Sequence, residues 1–188
     1  MAKKTNKIKI TMQEIEIPSG IEVKIEGNTI IIKKEGKEAK RIADREIEMK
    51  QEGSRLIISM KRNRREQKRK IGTFAGHIKN MIDGLLNGFE YDLEICNVHF
   101  PMTLTFDKAK NEFIIKNLLG EKAPRILKIN GNIEVEIKAP HVKIKSHDIE
   151  TAGQAAANLE KLARIRNRDR NKFQDGIFIT KKPGRSYL

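Results

Sequence analysis

Tryptophan is absent from this 188-residue chain, and cysteine occurs once, at position 96. A lone thiol cannot close an internal disulfide, which excludes a secreted disulfide scaffold and fits a reducing cytosol. No run approaches the roughly 18 apolar residues that cross a bilayer. The start, MAKKTNKIKI, is basic but lacks the apolar stretch of a signal peptide. Missing too are the phosphate-cradling patterns GxGxxG and GxxxxGKS/T, the zinc pattern HExxH and the dithiol CxxC. Enzymes that depend on those motifs are therefore excluded, and no cofactor, metal or small-molecule substrate is expected.

What the chain has in excess is positive charge, +14 in total, and its placement is uneven. Residues 61–70, 161–172 and 179–188 together hold 16 basic residues and two acidic ones. The remainder is balanced, with 23 of each sign, so three segments carry the whole surplus. Clustered Arg and Lys neutralise phosphates and release counterions. Arginine dominates the first two runs, and its planar fork suits phosphate and stacking contacts. Neither run has the Trp/Phe/Leu face of an interfacial helix, so nucleic acid is favoured over a membrane surface.

Apolar periodicity gives the architecture. In the first half, Ile21, Val23 and Ile25 alternate with charges, the period of a half-buried strand. Gly27-Asn28 signals a hairpin into Thr29–Ile32. A strand region over Arg41–Met49 and a strand over Arg55–Met60 follow. The step then lengthens to three and four through Ile71, Phe74, Ala75, Ile78, Ile82, Leu85 and Phe89, which predicts a helix. The second half repeats the plan, with strands between Tyr91 and Ser146 and an Asn130-Gly131 hairpin turn between Arg125–Ile129 and Ile133–Lys138. A helix then starts after Asp148, a good N-cap residue, and buries Ile149, Ala152, Ala156, Leu159 and Ala163.

A short identity, GxxAxRI, recurs at 36–42 and 120–126, 84 residues apart. We therefore read an α+β protein of two duplicated subdomains, each an antiparallel sheet with a helix packed on one face. The expected boundaries are 1–89, 90–180 and a basic tail at 181–188, where Pro183-Gly184 argues against regular structure.

Other patterns read as structural. Gly72, Gly76, Gly84 and Gly88 recur at multiples of four on one helix stripe. Glycine costs a helix interior about 1 kcal/mol against alanine, so close approach of a neighbouring backbone is expected, or alternatively of an RNA backbone. The pairs Glu14/Glu16, Glu46/Glu48 and Glu134/Glu136 look like solvent-facing strand positions. Cys96 and His99 stand three apart, which points their side chains to opposite faces of a strand. His141 reads as a surface position, and His147-Asp148 as a helix start. Few aromatics are present, two Tyr and seven Phe, which argues against a stacking platform; Tyr187 is the one exposed candidate.

Val98-His99-Phe100-Pro101-Met102, Asn117-Leu118-Leu119-Gly120-Glu121-Lys122 and Lys172-Phe173-Gln174-Asp175-Gly176-Ile177-Phe178 resemble segments of the large-subunit ribosomal protein L-six family. The stretch from Gly72-Thr73-Phe74 to Ile82 is similar to it as well. The likeness is to the archaeal and eukaryotic branch and spans nearly the whole chain. It implies a cytoplasmic, non-catalytic component of the large ribosomal subunit, built of two duplicated α+β halves. The partners it implies are large-subunit rRNA, near the stalk base and the sarcin-ricin region, and neighbouring large-subunit proteins. It also implies that Arg164, Arg166, Arg168, Arg170, Lys172, Lys181, Lys182 and Arg185 face rRNA, together with Lys122 of the LLGEK loop. Charge density alone adds Arg62, Arg64, Arg65, Lys68, Arg69 and Lys70. The expected mechanism is recognition of RNA shape and backbone, with the tail ordering on binding. The rival readings are a free-standing RNA- or DNA-binding regulator and a metal-dependent nuclease.

Overall fold

The computed structural model describes residues 11–60 and 64–187. Arg62, one of the candidate RNA contacts, lies outside the described residues. The chain divides into two compact units, separated in sequence between Asn87 and Gly88.

The first unit contains β1 (Thr11–Glu16), β2 (Glu22–Glu26), β3 (Thr29–Lys34), β4 (Lys37–Ile42), β5 (Glu48–Glu52), β6 (Arg55–Met60) and α1 (Arg65–Leu86). Its strands make two antiparallel sheets, β2-β3-β4 and β1-β6-β5, rather than one. Two-residue turns set the registers. Glu26 pairs Thr29 around Gly27-Asn28, and Lys34 pairs Lys37 around Glu35-Gly36. Glu35 (φ 47°) and Gly36 (φ 80°) are both left-handed, as a type I′ hairpin demands. The core joins Ile15, Ile30, Ile32, Leu56, Ile58 and Met60 to the α1 stripe of Ile71, Phe74, Ala75, Ile78, Ile82 and Leu85. Each Ile, Leu, Met or Phe among these contributes roughly 1.5–3 kcal/mol when fully buried.

Two expectations fail in this unit. Arg41–Met49 is not one strand but the end of β4, a turn and the start of β5. Ala43 and Ile47 are buried in the link between the two strands, and their N–H groups bond Asn28 O and Asp44 O. Phe89, placed on the helix face by its spacing, opens the next strand. The helix stops at Leu86, and Gly88 (φ 71°) supplies the left-handed residue that commonly follows a helix end.

The second unit repeats the order: β7 (Phe89–Cys96), a meander of β8 (Thr103–Asp107), β9 (Glu112–Lys116) and β10 (Arg125–Lys128), a hairpin of β11 (Glu134–Lys138) and β12 (His141–Ser146), then α2 (Ile149–Leu162). The pairing β7-β12-β11 matches β1-β6-β5, and β8-β9-β10 matches β2-β3-β4. The GxxAxRI identity runs along β4 in the first unit and leads into β10 at Arg125-Ile126 in the second, and these strands hold corresponding places in the two plans. What is added is β13 (Gly176–Lys182) with β14 (Arg185–Ser186), so that β7 is flanked by β12 and β13.

Asp148 caps α2 as expected, accepting from the N–H groups of Glu150 and Thr151. The helix buries Ala152, Ala155, Ala156 and Leu159 and packs on β7, β12 and β13. Small residues let it come close: a Cβ at Gly153 would lie 2.8 Å from Tyr91 Oη. Gly131 is as tight, with a Cβ there 2.8 Å from Thr151 Cγ2. At Gly72 and Gly76, where close approach was expected, a Cβ would meet no described residue within 4 Å, while at Gly88 it would lie 3.7 Å from the Ser146 carbonyl oxygen.

Two turn signals are also corrected. Asn130-Gly131 does not join paired strands, because β10 pairs β9 while β11 pairs β12. A left-handed glycine, here at φ 105°, reverses the chain without specifying which strands it joins. Pro183-Gly184 does not end regular structure but forms the two-residue turn between β13 and β14, with Lys182 opposite Arg185. Proline's φ of about −65° followed by Gly184 at 75° suits a type II turn. The tail is therefore part of the sheet.

A fragment of residues 88–188 should unfold as one cooperative transition on heating. A fragment of residues 112–188 should give no such transition, because without β7 neither β12 nor β13 has its shared neighbour. Cooperative melting of the shorter fragment would contradict this reading of the second unit.

Candidate nucleic-acid interface

The run at 61–70 opens α1. Arg64 occupies the N-cap position without a capping hydrogen bond from its side chain, and Arg65, Lys68 and Arg69 are exposed on the first turns. Cations at a helix N-terminus oppose the macrodipole, by about 0.3–1 kcal/mol each. Local helix energetics therefore do not account for this run. Lys70 is different. It is half-buried, with Nζ 2.8 Å from Asp44 and within 4 Å of Glu46 and Glu66. Its hydrogen bond to Asp44 holds its pKa above the usual lysine value. Its charge is met within the fold.

The run at 161–172 begins in the last turn of α2 and leaves it. Arg164, Arg166, Arg168, Arg170 and Lys172 are all exposed, on a loop rather than a helix. The loop is held by short-range bonds. Asn167 is left-handed (φ 58°), and Asp169 takes N–H bonds from Asn171, Lys172 and Phe173 on its side chain or carbonyl. Two of the guanidiniums rest on rings, Arg168 at 5.3 Å from the Phe173 centroid and Arg170 at 5.5 Å from that of Phe178. In the β13–β14 hairpin, Lys182 and Arg185 lie 5.3 and 4.8 Å from the Tyr187 centroid. Lys181 is exposed beside them. Such cation–ring contacts contribute about 0.5–1 kcal/mol at exposed sites and hold long side chains in place.

Several strand acids are matched by neighbouring cations, Glu136 by Lys138 among them, while Glu46 lies in the turn before β5 and not on a strand. Glu90 accepts from Lys143 at 2.8 Å and pairs with Lys145 at 2.9 Å. The hydrogen bonds from these two lysines hold the Glu90 carboxyl down at about 2. Glu14 pairs with Arg55 across β1 and β6. Among the described residues, no three His, Cys, Asp or Glu side chains group as metal ligands would. No helix among them is long and apolar enough to cross a membrane.

Residues not singled out as contacts build the frame of this surface. Arg125, the arginine of the second GxxAxRI, makes a two-pronged contact with Glu121 of the LLGEK loop. Its Nη1 also donates to the carbonyls of Leu162 and Arg164, closing the C-terminal end of α2. One guanidinium thus ties the loop bearing Lys122 to the start of the arginine-rich segment. The matching Arg41 of the first unit reaches its own helix, at 3.1 Å from His77 Nε2.

Asp175 is the second frame residue. It is 5% exposed, and its Oδ1 accepts from the N–H groups of Val98 and His99 at 2.8 and 2.9 Å. The His99 ring donates Nδ1–H to Oδ2. Burial alone would raise this carboxyl, but the bonds from the His99 backbone and ring and from Val98 outweigh it and leave the pKa at about 2. Periodicity is blind to this link, which spans 76 residues. Both ends of the link fall in segments that carry the family resemblance, Val98–Met102 and Lys172–Phe178.

With this geometry in place, comparison with known proteins is informative. No family profile matches the chain. Sequence relatives do. The chain is 38% identical over 174 residues to the large ribosomal subunit protein uL6 of Methanococcus vannielii, covering 92% of this chain and 94% of that one. It is 36% identical to the uL6 of Haloarcula marismortui over 173 residues, 92% and 96% of the two chains. The uL6 of Archaeoglobus fulgidus is 36% identical over 175 residues, 90% and 88% of the two. The fold and these relatives define a structural, non-enzymatic protein of the large ribosomal subunit. The chain belongs to the uL6 family, in its archaeal form.

Asp175→Asn should lower stability at neutral pH by roughly 2 kcal/mol, since a pKa near 2 against about 3.9 unfolded is worth that much. The stabilisation is present above the unfolded pKa and is lost as pH falls through about 4 towards 2. Melting temperatures of the two proteins should therefore differ at pH 7 and converge only at about pH 2 and below. A gap that persists unchanged at low pH would show that the carboxylate's ionisation is not the cause.

Proposed function

We propose that this chain binds large-subunit rRNA through its exposed cationic segments and rests near the stalk base and the sarcin-ricin region. The observation that carries the RNA part is the confinement of the +14 surplus to three segments, beside a remainder whose charges balance. Two of the three segments lie on the second unit. There Arg164, Arg166, Arg168, Arg170, Lys172, Lys181, Lys182 and Arg185 are presented by a loop and a hairpin, with Lys122 exposed on the LLGEK loop. A backbone-tracking surface of this kind suits A-form RNA, whose deep major groove side chains cannot read. The location rests on the family resemblance of the HFP, LLGEK and KFQDGIF segments. Chemical probing of rRNA with and without the chain should show protection at the stalk base and the sarcin-ricin loop. Protection elsewhere would overturn the placement and leave RNA binding intact.

In the first unit, Arg64, Arg65, Lys68 and Arg69 supply a smaller cationic group, and we leave Lys70 out because its charge is already matched. An anion at that helix end would relieve the opposition between these cations and the macrodipole.

The logarithm of affinity for large-subunit rRNA should fall with the logarithm of salt at a slope of about −4 to −5 for six phosphate contacts. Replacing Arg164, Arg166, Arg168 and Arg170 with Gln should flatten the slope by roughly one unit per true contact, and Lys70→Gln should leave it unchanged. A wild-type slope shallower than about −2 would refute the electrostatic account.

A further inference from the structure

Three segments far apart in sequence converge at one end of the second unit. The loop at 97–101 is pinned by Asp175 at Val98 and His99, by Asn117 Nδ2 at Pro101 O (2.9 Å), and by its own Asn97 side chain at Met102 N (3.3 Å). Phe100 lies against Gly120 of the LLGEK loop, 4.0 Å from where a Cβ would project. That loop is backbone-strained, with Asn117 (φ 59°), Leu119 (φ 48°) and Gly120 (φ 79°) all left-handed. A left-handed leucine costs roughly 1–2 kcal/mol, so the surrounding contacts must impose it. The His99 ring stacks on Phe173 at 4.9 Å, and Arg168 lies over the same Phe173.

The result is a rigid group of flat faces that remain open to solvent. Phe100 is 48% exposed and Val98 61% exposed, while His99 and Arg168 are exposed as well. The acids of these loops are bonded within the fold, Asp175 by the 97–101 loop, Glu121 by Arg125 and the exposed Asp169 by the Asn171 N–H, and the exposed cations around Asp169 outnumber it. The open charge of this patch is therefore positive. Aromatic faces with cations beside them match an unpaired nucleotide, whose base stacks while its phosphate meets a guanidinium. A protein partner would have to bring acids to match these cations, whereas a nucleotide brings its phosphate and a flat base together.

We propose that His99, Phe100 and Arg168 form a stacking seat for one unpaired rRNA nucleotide. The low aromatic count argued against a stacking platform and left Tyr187 as the one exposed candidate; the exposure of Phe100 adds a second. The seat rests on the proposed rRNA binding and adds to it a stacking contact on His99 and Phe100 that does not depend on salt, beside the salt-dependent contact of Arg168. Filter binding of the full chain to deproteinised archaeal large-subunit rRNA, at two salt concentrations, tests it. Phe100→Ala and His99→Ala should each weaken binding at least about fivefold, the lower end for stacking one base on an aromatic side chain, with an unchanged salt slope. Phe100→Tyr should bind as wild type. Because His99→Ala also removes a bond to Asp175, the half-exposed Phe100 carries the decision. If wild type binds and Phe100→Ala binds equally well, the seat is refuted while rRNA binding stands. Should Phe100→Ala bind naked rRNA normally but fail to enter large subunits, the patch receives a protein and the seat is likewise refuted. If wild type itself does not bind, the parent reading falls.

Discussion

Three N–H groups converge on the carboxylate of Asp175, and the working face of the second unit is assembled around that point. A buried carboxylate costs several kcal/mol to desolvate unless its oxygens are filled. Here one loop fills them, so the ion is stable only when the 97–101 loop is in place. The reverse also holds, since the loop has little apolar burial of its own. Asp175 stands one residue before β13, and β13 pairs with β7 from Gly176 onward. The same link therefore sets where the arginine-rich segment ends and where the sheet resumes.

Arg125 does comparable work at the other end of that segment, and its counterpart Arg41 shows how duplication has been used. Both arginines leave a third meander strand and reach the helix of their own unit. In the second unit the reach ends on open carbonyls at a helix terminus, and it orders the exit of a cationic loop. In the first it ends on a histidine within the helix. One scaffold has thus been given two kinds of cationic surface: one placed against the helix dipole at the start of α1, one led away from a helix end at the close of α2.

Local periodicity made much of this legible. Strand alternation such as Val23 and Ile25, the α1 stripe and the Asp148 cap depend on near neighbours and are visible in one dimension. Charge arithmetic found the basic segments for the same reason. What stayed hidden was non-local. The Asn130-Gly131 and Pro183-Gly184 turns were recognised as punctuation, but their role depends on which strands pair. Gly72 and Gly76 suggested a neighbour that the described residues do not supply, and Gly153, set against Tyr91, gave no sign of one that is present. Counting aromatics missed the Phe100 and Phe173 group because a count says nothing about exposure. The salt link of Lys70 was likewise hidden, since Asp44 and Glu46 belong to a distant turn.

The flanking of β7 by β12 and β13 has a consequence for how the protein is made. A chain emerges from its N-terminal side, and domains tend to fold as they appear. The first unit draws its partners, β1 to β6 and then α1, from a continuous stretch and can settle during synthesis. In the second, Ile95 waits for Ile177, its partner across the sheet. Until that strand is translated, one edge of β7 stays open, a template for stray pairing. The nascent second unit thus has a vulnerable interval, and cationic side chains at 164–172 emerge before it closes. A polyanion that engages them early would meet a half-built sheet, so the order of translation and assembly is written into the topology.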